Sequence, residues 1–241
     1  MDSYQRHKLK QDKFTTAVAS STHWAAEHRS KLIVASVLVV AAVLGISGFA
    51  YRQSSREHEA SQQFGKALET YQSDIRPEGI KPTPGQESYA SAKERAAAAN
   101  KAFESVANAY PHTDSGQSAL YMSGVTAAEM GDNARAEQAL KNAADRANRD
   151  VAALAKLALA NLYHASNRDA DAIRLLTELR SNPTNSVPGS VAGLQLASIY
   201  ENTDPQKALA IYGEIQKSDK GTGGDIAQQR MSVLSSQQAK K

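Results

Sequence analysis

Four segments of this chain lie over one another at nearly constant spacing, and no other sequence feature restricts the fold as much. They are AFESVANAYP, AEQALKNAAD, AIRLLTELRS and ALAIYGEIQK. Their leading residues, Ala102, Ala136, Ala172 and Ala208, are separated by 34, 36 and 36 residues. Four positions on stand Val106, Leu140, Leu176 and Tyr212, and three further on Ala109, Ala143, Leu179 and Ile215. Apolar residues at such steps share one face of an α-helix. A second helical segment precedes each of the last three: ALYMSGVTAAEMGD, KLALANLYHASNRD and LQLASIYENTDP. In these, the small residues Gly124, Ala160 and Ala197 are followed three positions later by Ala127, Tyr163 and Tyr200, and turns are signalled at Gly131-Asp132, Asn167-Arg168 and Asp204-Pro205. The unit is helix, tight turn, helix. Small residues fit where paired helices approach closely, and larger apolar ones fill the groove to the next unit.

This pattern resembles the tetratricopeptide repeat, which has a small residue and an aromatic in its first helix, a turn glycine, then alanine, a larger apolar residue and alanine in its second. The second unit fits best, with Gly124, Gly131, Ala136, Leu140 and Ala143 in register. It departs in carrying Ala127 where the family has an aromatic, and the later units are two residues longer. The fourth has a shortened turn, with Pro205 at the first position of its second helix, where proline is tolerated. Tyr163, Tyr200 and Tyr212 recur at repeat spacing and are expected in the core.

The first unit is irregular. A helix around residues 54–75 presents Ala60, Phe64, Ala67, Leu68, Tyr71 and Ile75 on one face. RPEGIKPTPGQES, with prolines at 77, 82 and 84, then forms a loop. A long helix near residues 88–110 follows, and its run Ala96 to Ala99 suits close packing. In PHTDSG, Pro111 is expected to stop this helix and Asp114 or Ser115 to cap the next. Gly221, Gly223 and Gly224 break the chain before a polar capping helix that carries Ile226, Val233 and Leu234.

Ahead of the repeats, LIVASVLVVAAVLGISGFAY runs from Leu32 to Tyr51 without a charge, between Lys31 and Arg52. As a helix rising ~1.5 Å per residue it spans ~30 Å, the thickness of a bilayer core. The stretch is longer than the h-region of a cleaved signal, so an uncleaved anchor is expected. Arg6, Lys8, Lys10, Lys13, Arg29 and Lys31 outweigh Asp2, Asp12 and Glu27 before it, whereas Arg52 and Arg56 are offset by Glu57 and Glu59 after it. The positive-inside rule then keeps the N-terminus in the cytoplasm and exports the rest, in a bacterium to the periplasm across the inner membrane. The leader is either a disordered basic segment or a juxtamembrane helix with Phe14, Val18, Trp24 and Ala25 on one face.

The expected organisation is therefore a basic leader over residues 1–31, a transmembrane helix over 32–51, a linking helix and Pro-rich loop over 52–87, repeats over 88–220 and a capping helix over 221–241. The fold class is all-α, in keeping with an aromatic content of only 6% and few β-branched runs outside the apolar segment.

The residues give no sign of an enzyme, a metal site or a cofactor. There is no cysteine, which excludes thiolate nucleophiles and cysteine-ligated metals. His7, His23, His28, His58, His112 and His164 fall in no metal-ligand spacing. GTGGD at Gly221 lacks the strand and lysine of a phosphate-binding loop. The net charge of +3 resides in the leader, so the repeats have no electrostatic footprint for nucleic acid.

Repeats of this kind present a groove formed mainly by first helices, which holds proteins or extended peptides. Lys156, Asn161 and Gln195 are candidate lining residues. The order of leader, anchor, exit helix and repeats resembles the YfgM-like family of ancillary SecYEG translocon subunits, which implies a place beside the export channel and a handover of emerging chains to periplasmic chaperones. NAYPHTDSGQSAL is also similar to repeats of cell-division and outer-membrane-assembly proteins, which implies instead an envelope scaffold with no part in export.

Overall fold

The computed structural model describes residues 28–81, 84–85 and 87–238. The leader residues Phe14, Val18, Trp24 and Ala25 and the loop residue Pro82 lie outside them. The chain forms two compact units, residues 1–55 and 56–241.

Helix α1, Arg29–Gln72, begins in the first unit. There, among the described residues, its apolar side chains are exposed: Val37, Leu44, Ile46 and Phe49 are 61–72% exposed. This helix is long and apolar enough to cross a membrane, and none of its apolar window is buried within the protein.

The second unit starts with the part of α1 that follows Ser55 and continues with α2 (Ala92–Ala109), α3 (Asp114–Glu129), α4 (Asn133–Arg146), α5 (Arg149–Ala165), α6 (Asp169–Ser181), α7 (Gly189–Thr203), α8 (Pro205–Ser218) and α9 (Thr222–Gln238). From α2 onward each helix packs on the next, as expected for stacked helix pairs. Among the described residues α3 also packs on α5, and α7 on the last helix, α9. The first helices α3 and α5 therefore lie side by side.

Two turns close as the sequence predicts. Gly131 adopts φ +81° and Asn167 φ +57°, the left-handed conformation that ends a helix. The N–H of Asp132 donates to the Ala127 carbonyl at 3.0 Å and that of Arg168 to the Tyr163 carbonyl at 2.8 Å, which satisfies carbonyls the helix ends leave open. In the fourth unit Asp204 caps α8 by accepting from the Lys207 N–H at 3.1 Å, with Pro205 at the first position.

The core confirms three of the four aligned segments. Ala136, Leu140 and Ala143, then Ala172, Leu176 and Leu179, then Ala208, Tyr212 and Ile215 are buried throughout. Tyr163 is buried as well, whereas Tyr200 remains half-exposed beneath the Lys207 ammonium, 4.1 Å from its ring centre. In the first unit the register is three residues earlier than the spacing suggests. Ala99, Phe103 and Val106 fill the core, while Ala102 is half-buried and Ala109 exposed. Phe103 sets this register, because its ring meets Phe64 at 5.6 Å and Tyr71 at 6.3 Å between centroids, on a helix face that Ala102 does not share. Of the alanine run, Ala96 and Ala99 are buried. Asn100 ties α2 to α3, donating to the Ser123 carbonyl at 2.7 Å and the Thr126 hydroxyl at 3.0 Å.

Other expectations shift locally. The chain between α1 and α2 returns through a two-residue parallel pairing, β1 (Asp74–Ile75) with β2 (Ser88–Tyr89), and the exposed Ile75 lies in it and not in the helix. Thr113, not Asp114 or Ser115, is the N-cap of α3, its hydroxyl accepting from the Gly116 N–H at 3.0 Å. Gly223 and Gly224 lie inside the first turn of α9. They fit there because a Cβ on Gly224 would stand 2.0 Å from the Asp219 carbonyl oxygen.

Candidate functional site

The first helices bury one side against their second helices and leave the opposite side half-buried or exposed. In α3 the buried residues include Ala119, Ser123, Gly124 and Ala127, in α5 Leu159, Ala160 and Tyr163, and in α7 Ala192, Leu196 and Ala197. At ~3.6 residues per turn, the side opposite these is occupied by Ser118, Tyr121, Val125 and Ala128 in α3. The matching positions are Leu154, Leu157, Asn161 and His164 in α5, and Val191, Leu194, Ser198 and Glu201 in α7. All are half-buried or exposed. This inner face of α3, α5 and α7 is the candidate binding surface.

Its floor is held from behind by close packing and polar ties. A Cβ on Gly124 would stand 2.7 Å from Leu140 Cγ, so α3 and α4 approach at a distance only glycine allows. Tyr163 donates to the Glu137 carboxylate at 3.1 Å and lies under the Arg168 guanidinium, which also donates to Glu137 at 2.9 Å. Lys141, the nearest cation, holds the Glu137 carboxyl below its ordinary range. Tyr212 donates to Glu201 at 2.7 Å, and Arg230 of α9 grips both oxygens of the same carboxylate at 3.0 and 2.7 Å. Burial pushes the Tyr121 phenol up.

Of the three residues picked from sequence, Asn161 lies on the inner face and is exposed. Gln195 is half-buried at its edge, with a side-chain oxygen that has no hydrogen-bond partner. Lys156 belongs elsewhere. Its ammonium pairs with Glu178 at 2.6 Å beside a cleft of about 140 Å³ between α5 and α6. It is four residues before Ala160, on the side that α5 turns toward its partner helix. The apolar residues Tyr121, Leu157 and Leu194 were the informative column. They stand three positions before Gly124, Ala160 and Ala197, and the same repeat spacing would have found them.

Other surfaces offer less. A cleft of about 570 Å³ near the end of α6 is lined by Arg180, Ser190, Glu214 and Asp219, with Arg180 paired to Glu214. Among the described residues no group of three or more His, Asp or Glu stands close enough to hold a metal ion.

A family model described as a tetratricopeptide repeat-like domain matches residues 22–186 of the chain. That span runs from the end of the leader through α6. No curated protein and no solved structure matches the chain.

Proposed function

The chain belongs to the tetratricopeptide repeat-like family, a family of protein-binding modules, and on that premise we propose that it is a single-pass membrane protein whose exported repeats serve the protein-export translocon. The observation that carries the reading is the join of an unburied, uncharged segment to a repeat array through one helix, α1. The segment supplies an anchor, and the inner face of α3, α5 and α7 supplies the binding surface. The positive excess before Leu32 supports a cytoplasmic N-terminus and a periplasmic array. The function assigned is that of an accessory or chaperone-like binder, with no catalytic role.

Crosslinking in intact membranes followed by mass spectrometry tests this directly. Capture of translocon subunits together with chains in the course of export is the expected result. Their consistent absence, with envelope-complex proteins captured in their place, would remove the export role and leave a scaffold.

A further inference from the structure

We propose that the part of α1 after Ser55 and α2 form one body that undocks from α3 along a polar seam, while the array from α3 onward stays folded. This conformational device goes beyond the binding role and holds whatever the array binds. The buried apolar side chains fall into two clusters with no buried member in common. One runs from Ala127 to Leu234, and the other joins Ala67 of α1, Ala99, Phe103, Val106 and Ala107 of α2 and Ala119 of α3. Leu120 of α3, half-buried, touches both.

Polar groups occupy the boundary between α2 and α3. Among the described residues the buried polar side chains are Asn100, Thr113, Ser123 and Thr126, and all four lie in α2, in α3 or at the N-cap of α3. Asn100 donates across the seam to the Ser123 carbonyl and the Thr126 hydroxyl. The Thr126 hydroxyl itself donates to the Met122 carbonyl at 2.8 Å, and that of Ser123 to the Leu120 carbonyl at 2.8 Å, so both stay paired when Asn100 withdraws. Polar ties also join α1 to the two ends of α3. Glu57 accepts from the N–H groups of Asp114 and Ser115 at its start, and the Tyr71 hydroxyl donates to Glu129 at its end, at 2.6 Å.

A hydrogen bond broken at the seam is exchanged for one to water, at a small net cost. Apolar surface has no such replacement, and exposing it costs in proportion to its area. What α3 gives to the seam is modest: Ala119 is buried, and Leu120 and Met122 are half-buried. Inside the α1–α2 pair, by contrast, Phe64 and Tyr71 close on the Phe103 ring. Behind the seam, the joins bury Leu140, Leu159, Tyr163, Leu176 and Tyr212. The seam therefore opens before either side comes apart, with residues 110–113 between α2 and α3 as the pivot.

Native-state amide exchange, read by mass spectrometry on the full chain in lipid nanodiscs, tests the seam. Peptides from residues 56–72 and 96–107 should open together, with protection at least about tenfold below that of peptides from α4 to α8. Tyr71→Phe keeps the ring and removes the bond to Glu129. It should speed exchange in both segments about fivefold, as the loss of one hydrogen bond does, and leave α4 to α8 unchanged. Equal protection from residue 56 through α8 would overturn the proposal. So would opening of α2 with residues 56–72 still protected, or a Tyr71→Phe effect spread evenly over the array.

Discussion

At the scale of single residues, Gly124 and Tyr212 report on how tightly the units are joined. Ala160 and Ala197 occupy the positions equivalent to Gly124, yet a methyl group at 124 would overlap Leu140, because α4 lies closer to α3 than a side chain permits. Gly124→Ala is therefore expected to destabilise the chain. Overpacking of ~1–3 kcal/mol exceeds the ~1 kcal/mol gain in helix propensity. Urea unfolding should show the loss, and in a Leu140→Ala background the cost should shrink. Tyr212 sits in the core beneath Glu201. Burial first, and the hydrogen bond to Glu201 second, push its phenol up to about 12. The folded chain thus keeps a proton that the unfolded chain releases near pH 10. Stability from this group is complete below about pH 10 and is lost as the pH climbs through about 12. Tyr212→Phe should flatten part of the alkaline decline, measured as unfolding midpoints at about pH 9 and about pH 11.

At the scale of elements, the most informative contacts are made by two adjacent residues of α1. Arg56 donates to the Ala109 carbonyl at 3.1 Å, at the end of α2. Glu57 accepts from the N–H groups of Asp114 and Ser115 at 2.7 and 3.2 Å, at the start of α3. A cation thus meets the negative end of one helix and a carboxylate the positive end of the next. Glu57→Ala should cost ~1 kcal/mol, the usual value of a helix cap, and speed amide exchange at Asp114 and Ser115. The exposed Glu59→Ala should change stability by less than ~0.5 kcal/mol. Nothing local in the sequence points to this clip, because its partners are 53 to 58 residues away. A local device was legible: Ser91 caps α2 by accepting from the Glu94 N–H at 3.1 Å, and the Glu94 carboxylate accepts from the Ala90 N–H at 2.9 Å.

At the scale of the whole molecule, α9 closes the repeat array. Ala227 and Leu234 are buried against α7 and α8, and Arg230 holds Glu201. Deleting residues 222–241 should uncover that apolar face, lower the unfolding midpoint and raise light scattering in proportion to protein concentration. Orientation is the other property belonging to this scale. A reporter fused after Lys241 should be active only when it is of a kind that works outside the cytoplasm, and activity of a cytoplasm-only reporter would reverse the proposed topology.

The sequence by itself determined the helical class, the apolar segment, the turns at Gly131 and Asp204-Pro205 and the core register of three of the four aligned segments. Each of these depends on spacing within one helix or one turn, which local periodicity records. Tertiary structure decided the register of α2, the cap of α3 and the place of Lys156. Phe103 overrode the Ala102 column because only one face of α2 could meet Phe64 and Tyr71. Lys156 went to Glu178 and away from the inner face because α5 turns that side toward α6. Which helix covers which side depends on contacts between units, and those are fixed only when the units stack.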